Sequence, residues 1–272
     1  MIYDCFHFNG EYDLLKIRLN HHAGFVDKFV ITESPWTYSG SPKPLYYYLV
    51  ADEPPFDRFK DKIIHRIYNE PPDGRANWEY EHEQRNSIRH FPFKDEDLIL
   101  YLDCDEIIRN KGVIYTAAAT NCIVTLDMKL CWYYFNCVIE PGEDFYNDYS
   151  MEECFNHRWK MGKIIRPHHL HEFENVYQIR QANLWNPGCT IPDAGWHFSN
   201  LGDPERIHAK FNAFSHSREL NEKYDITPEL IRMRKSWLKD PLGRDVKFTK
   251  TKLDVPQYVH DNIEKFKECI LD

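Results

Sequence analysis

The 272-residue chain has no basic run, no CxxC pair, no apolar stretch of membrane-spanning length and no internal repeat. Each absence closes a class. A duplex nucleic acid calls for a basic face that neutralises phosphates. Here 43 acids outnumber 34 Lys and Arg, for a formal net charge of −9. Nucleic acid is therefore not the expected partner. A nucleotide stays open, because one metal ion and a few cations neutralise a diphosphate locally. A bilayer-crossing helix needs about 20 consecutive apolar residues, so no membrane span is expected. Met1-Ile2-Tyr3-Asp4-Cys5-Phe6 runs straight into a strand-like stretch without a basic region ahead of an apolar one, unlike a signal peptide. Several of the eight cysteines sit in apolar stretches, so free thiols and a cytoplasmic setting are the expectation. Gly and Pro are not in excess and no segment is of low complexity, which leaves no large disordered region.

Hydrophobic residues make up 42% and aromatics 15% of the chain. Most of those rings belong in a core. Some can line a cleft for sugars, because flat rings pack on the C–H faces of pyranoses. Along the first half, β-branched and apolar runs alternate with helical patterns. Strands are expected at 2–6, 28–32, 62–67, 97–102, 122–128 and 130–139, with helices at about 11–21 and 77–91 and within 107–119. That alternation predicts an α/β fold with a mainly parallel sheet and helices on both faces. Ligands on such sheets bind beyond the carboxyl ends of the strands. The second half is less regular, with a strand near 163–166 and helices near 204–215, 228–238 and 256–269. The division expected is a catalytic domain over 1–216 and a helical extension over 217–272 packed on it.

The most informative stretch is Leu98-Ile99-Leu100-Tyr101-Leu102-Asp103-Cys104-Asp105-Glu106. A buried strand here ends in three acids within four positions. If strand geometry persists, Asp103 and Asp105 point the same way. Two carboxylates about 4 Å apart repel by roughly 4 kcal/mol at an effective dielectric near 20. A divalent cation offsets that repulsion, and oxygen ligands suit Mg²⁺ or Mn²⁺. Solvent exposure or a raised pKa would offset it too. Glu106 is a weaker ligand candidate and can instead cap a following helix. Arg85, with Gln84 and Asn86 beside it, lies in the polar helix before this strand. Its guanidinium fork fits diphosphate oxygens, or it pairs with Glu81 at i,i+4. Glu33, at the end of the second strand, can contact a donor nucleoside, position Lys43 or face water. His168-His169-Leu170-His171-Glu172 lacks HExxH spacing and reads as loop and strand edge.

The chain resembles glycosyltransferase family 17. The likeness runs through Ile2-Tyr3-Asp4-Cys5-Phe6, Asp13-Leu14-Leu15, Ile17-Arg18-Leu19, Val26-Asp27-Lys28-Phe29-Val30-Ile31 and Glu33-Ser34. It continues in Lys43-Pro44-Leu45, Trp78, Glu83-Gln84-Arg85, Asp103-Cys104-Asp105-Glu106-Ile107 and Gly195-Trp196-His197-Phe198-Ser199. Each piece is short, and their order and spacing carry the resemblance. It implies a GT-A-type, Rossmann-like fold, a UDP-sugar donor, transfer of N-acetylglucosamine to a glycan acceptor, and inversion at the anomeric carbon. By the same resemblance, His197 completes the shell of a metal held by Asp103 and Asp105, and Asp103 also faces the donor. Inversion needs a base opposite the leaving group. Asp193 is the first candidate, with Glu143 and Asp144 as rivals. A metal-dependent phosphoesterase and a non-catalytic glycan-binding protein are the other classes. The sequence leaves the oligomeric state open.

Overall fold

A computed structural model describes residues 1–140, 154–155, 158–184 and 186–272. Twelve strands are present among these residues. They are β1 (Ile2–His7), β2 (Lys28–Glu33), β3 (Ile63–Ile67), β4 (Leu98–Tyr101), β5 (Glu106–Ile108), β6 (Val124–Trp132), β7 (Cys137–Ile139), β8 (Cys154–Phe155), β9 (Arg158–Trp159), β10 (Lys163–Ile165), β11 (Thr190–Ser199) and β12 (Phe248–Lys250). The helices are α1 (Tyr12–His22), α2 (Tyr46–Val50), α3 (Asn77–Asn86), α4 (Lys111–Ala118), α5 (Tyr177–Gln181), α6 (Pro204–Ala213), α7 (Ser217–Lys223), α8 (Pro228–Ser236) and α9 (Gln257–Asp261).

The main sheet runs β3-β2-β1-β4-β10-β6-β11-β5. Strands β3, β2, β1 and β4 are parallel neighbours, and β11 is parallel to β6. Only β10 and β5 run against their neighbours on this path. The expected α/β architecture with a mainly parallel sheet is therefore present. All four residues of β4 are buried, as a continuous apolar run flanked on both sides requires. Ile2, Asp4 and Leu100 illustrate the register that seats it, with Ile2 opposite Leu98 and Asp4 opposite Leu100.

Two strands were not legible as such. β5 is only three residues long, and β11 carries Pro192, Asp193 and Gly195, each a poor strand former. Both follow from tertiary pairing. Gly195 lies so close to β5 that a Cβ there would stand 2.0 Å from the Ile107 carbonyl oxygen. Between Ile191 and Gly195 the β11–β6 register shifts, and Asp193 takes a positive φ of 50° in that bulge. The expected strands at 122–128 and 130–139 are one long β6 followed by the short β7.

Residues 217–272 pack on the sheet domain and are not purely helical. β12 pairs antiparallel with β7, α8 packs on α6 and α9 on α1. Helix starts follow local chemistry: Asp203 accepts from the Arg206 amide at 2.7 Å with Pro204 in the first turn, and Thr227 does the same for Leu230 at 3.3 Å. Cys5, Cys104, Cys122, Cys131, Cys137, Cys189 and Cys269 are free thiols. Among the described residues no helix is long and apolar enough to cross a membrane.

Candidate functional site

The acidic stretch after β4 is a turn. The strand stops at Tyr101, and the Glu106 amide donates to the Asp103 carbonyl at 3.1 Å. Alternation along a strand is therefore not what brings the aspartates to one side, although both side chains do line the same cleft. Arg18, fully buried on α1, shapes the turn from beneath. Its NH1 donates to the carbonyls of Asp103 at 2.8 Å and Glu106 at 2.6 Å, while Asp4 on β1 grips its other nitrogens at 3.0 and 2.5 Å. Glu106 braces the turn from above. It is fully buried and accepts from the Asp103 amide (2.9 Å), Trp159 Nε1 (2.5 Å) and Arg180 NH2 (2.6 Å). It caps no helix; α4 is capped by Asn110 instead.

Each aspartate has its own set of cations. Arg85 NH1 lies 2.9 Å from Asp103 Oδ1, and Arg180 NH2 lies 2.8 Å from Oδ2. Burial pushes the Asp103 carboxyl up, but Arg180 and Arg85 outweigh it and hold the group well below the usual carboxylate range. Asp105 faces Lys210 Nζ at 3.0 Å and His197 Nε2 at 3.4 Å. There too burial is outweighed, by Lys210 and then His197, and the carboxyl is held far below its ordinary value. Both acids are anionic at neutral pH. His7, at the end of β1 in the same cleft, is driven down to about 3 by burial and then by Arg85, so its imidazole is neutral.

The cleft has a volume of about 500 Å³ and opens over the carboxyl ends of β1, β4 and β6. Its walls are aromatic: Trp36, Trp78, Trp132, Trp159, Tyr177 and Phe211 all line it. His82 stacks on Tyr177 with ring centroids 5.0 Å apart, and Trp159 lies against His197 at 4.2 Å. Such a surface accepts the flat faces of bases and sugars while a few fixed charges orient them.

Asp103, Asp105, His197, Arg85 and Gln84 come together in this cleft. Of the two roles weighed for Arg85, the pair with Glu81 is present at 2.9 Å, and the guanidinium also meets Asp103 at 2.9 Å. Asn86 does not reach the cleft lining; its Oδ1 accepts from the Val176 amide at 2.8 Å. Glu33 is fully buried and caps α2, accepting from the amides of Tyr46 (2.7 Å) and Tyr47 (3.0 Å) and pairing with His65 at 2.8 Å. Asp193 is not part of the cleft wall either. It sits in the β11 bulge, 63% exposed, with its carboxylate 2.7 Å from Arg109 NH2. The bulge turns it away from the strand end that carries His197. Glu143 and Asp144 lie outside the described residues.

Sequence reasoning missed Arg180, Lys210 and Trp159. Arg180 belongs to a five-residue helix and Trp159 to a two-residue strand, elements too short to give a periodic signal. Lys210 could have been found. The Asp203-Pro204 start fixes the phase of α6, and Lys210 falls one turn after Arg206 on that helix. The histidine cluster, expected as loop and strand edge, is instead a short helix over Pro167–His171, outside the cleft lining. His168, His169 and Glu172 converge. His169, however, accepts the Arg166 amide on Nδ1 and turns Nε2 to the Asn121 carbonyl, which leaves no lone pair for a metal.

Residues 1–236 match Glycosyltransferase family 17. The chain is 24% identical over 225 residues to "Beta-1,4-mannosyl-glycoprotein 4-beta-N-acetylglucosaminyltransferase" of Mus musculus, covering 77% of this chain and 42% of that one. The Homo sapiens protein of the same name is 27% identical over 218 residues, covering 74% of this chain and 41% of its own length. The chain thus spans about two fifths of the curated relatives it matches. Among solved structures it is similar to 4-diphosphocytidyl-2C-methyl-D-erythritol synthase, with a TM-score of 0.42, 11% identity, and 76% of this chain and 96% of that chain covered.

Proposed function

Because the chain belongs to glycosyltransferase family 17, we propose that it transfers a sugar, N-acetylglucosamine, from a UDP-linked donor to a glycan hydroxyl with inversion. The observation that carries this reading is the cleft in which Asp105 meets His197 and Lys210 beside an arginine-clamped Asp103. Relatives at 24% and 27% identity named as N-acetylglucosaminyltransferases support the choice of sugar.

A divalent metal fits this set. Asp105 and His197 bring a hard carboxylate oxygen and an imidazole nitrogen within 3.4 Å of each other, and His197 Nδ1 is buried without a hydrogen-bond partner. Mn²⁺ or Mg²⁺ accepts such donors. Asp105 and His197 would hold it; Asp103, expected as a third ligand, has both oxygens taken by Arg85 and Arg180 and brings none into the same cluster. Bound there, the ion would act as a Lewis acid on the donor diphosphate. The remaining work falls to the chain. Lys210 adds a fixed positive charge where negative charge builds on the departing nucleoside diphosphate. Arg85 and Arg180 keep Asp103 ionised and in place, so its orientation does not depend on the substrate. The aromatic walls hold rings and exclude water. For the acceptor-side base, Glu143 and Asp144 are the candidates we retain, ahead of Asp193, whose carboxylate is engaged by Arg109 outside the cleft.

The test is UDP release from UDP-N-acetylglucosamine with Mn²⁺ and a panel of glycan acceptors. Asp103→Ala and Asp105→Ala should each abolish it. If both variants release UDP at the parent rate, the proposed chemistry is wrong. Replacing UDP-N-acetylglucosamine with other sugar nucleotides identifies the donor, and Glu143→Gln against Asp144→Asn separates the two bases.

A further inference from the structure

A second cavity, of about 590 Å³, adjoins the cleft and shares Glu11, Lys43 and Lys210 with it. It lies between the loop after β1, the loop after β2 and one face of α6. Three cations border it: Lys43 from the loop after β2, and Arg206 and Lys210 spaced i,i+4 on α6. Glu11 is the acid among its described lining residues, and its Oε2 accepts the Asn9 amide at 2.8 Å. Lys210 is already paired with Asp105.

Lys43 and Arg206 are different. The Nζ of Lys43 and the NH2 of Arg206 are both buried, and neither has a hydrogen-bond partner. The Nζ of Lys43 stands over the face of Tyr46, 5.0 Å from the ring centroid. Burial depresses its ammonium, partly countered by Glu33 and Glu11. Buried polar atoms are paired as a rule, and charged ones more strictly so. Two unpaired cationic atoms bordering one cavity therefore mark a place built for an acceptor of hydrogen bonds that carries negative charge. A single oxyanion group has enough lone pairs to take both, and a guanidinium suits it geometrically.

We propose that this second cavity is an oxyanion subsite, in which Lys43 and Arg206 together bind a phosphate or carboxylate group of a substrate, apart from the Asp105–His197 pair. The assignment of the anion to a substrate of transfer rests on the function proposed above; the existence of the subsite does not. Two sources share this chemistry: the diphosphate of the donor, and an acidic sugar in the acceptor.

The experiment is calorimetric titration of the full chain in EDTA, with inorganic pyrophosphate in one arm and free glucuronate in the other. The proteins are the parent, Lys43→Gln, Arg206→Gln and the conservative Arg206→Lys, each checked for an unchanged thermal melt. Saturable binding of one probe, weakened at least tenfold in both Gln variants and partly kept in Arg206→Lys, is the expected result. Pyrophosphate as that probe assigns the subsite to the donor, and glucuronate assigns it to an acidic acceptor. Binding of neither probe, or equal binding in parent and Gln variants, overturns the proposal. Since no sugar transfer is read, failure here is separate from failure of the transferase reading, which the UDP-release assay decides.

Discussion

Two charge clusters lie within reach of the same four-residue turn, and they are built on opposite plans. Beneath the turn, Asp4, Arg18 and His22 are fully buried, and their polar atoms are matched among themselves and to backbone. Above it, Asp103 and Asp105 face a cleft, their cations come from four separate elements, and His197 Nδ1 is unmet. A sealed, satisfied network specifies structure. A network left open on one side, at the carboxyl ends of parallel strands, is positioned to receive something. Arg18 joins the two, because the arginine that Asp4 holds also fixes the carbonyls of the turn. The lower cluster thus orients the upper one.

This difference predicts that the clusters separate in experiment. The largest effect is expected above the turn and on activity. Asp105→Ala should lower kcat/KM about 10³-fold, the scale of losing a preorganised electrostatic group. Its thermal melt should stay close to the parent, because Lys210 is partly exposed and returns to water. Below the turn the order reverses. Arg18→Met strands a buried carboxylate and frees the turn carbonyls, and should cost about 3–5 kcal/mol in urea unfolding. Equal destabilisation by the two substitutions would break the comparison.

The lower cluster should also contribute to the acid response of the fold. The Ile108 amide donates to His22 Nε2 at 3.0 Å, so Nδ1 carries the proton and faces Asp4 at 2.7 Å. Burial drives this imidazole down to about 4, against the pull of Asp4, with Arg18 and His21 adding to the depression. Between the ordinary histidine value of about 6.5 and 4, the unfolded chain binds a proton that the native one refuses. Stability contributed by the neutral ring is whole above that window, falls as pH falls through it, and is flat below. The loss is on the order of 3 kcal/mol. Urea midpoints from pH 7 to 4 measure it, and His22→Gln should reduce the slope, leaving the part contributed by His7, which burial also drives down.

How far the sequence revealed all this depends on what each feature rests on. β4 and its acidic end were legible because five apolar or aromatic residues followed by Asp-Cys-Asp-Glu form a local pattern. His197 was reached through the family resemblance, not through any local signal, since β11 reads poorly as a strand. Its pairing is imposed by the close approach at Gly195. Arg180 and Lys210 are brought to the acidic turn by tertiary packing, Arg180 from 74 positions beyond Glu106 and Lys210 from 105 positions beyond Asp105. Glu106 was open between ligand and helix cap. Its burial under Arg180 and Trp159 gives it a bracing role that no spacing rule conveys.

The smallest expected effect concerns Asp193, and it tests how far proximity in sequence misleads. Its four-residue distance from His197 made it a natural base. In the fold, the bulge before Gly195 gives it a positive φ and sends its carboxylate to Arg109, which also binds Asp254 at 2.9 Å and stacks over Trp196 at 4.3 Å. A pair this open to solvent contributes about 1 kcal/mol at most. Asp193→Asn retains the side chain's shape and its tolerance of the left-handed region. UDP release should therefore stay within about twofold of the parent, against the 10²–10⁴-fold, roughly, that loss of a general base would bring. A fall of that larger size would return Asp193 to the acceptor side and require the β11 bulge to rearrange when substrates bind.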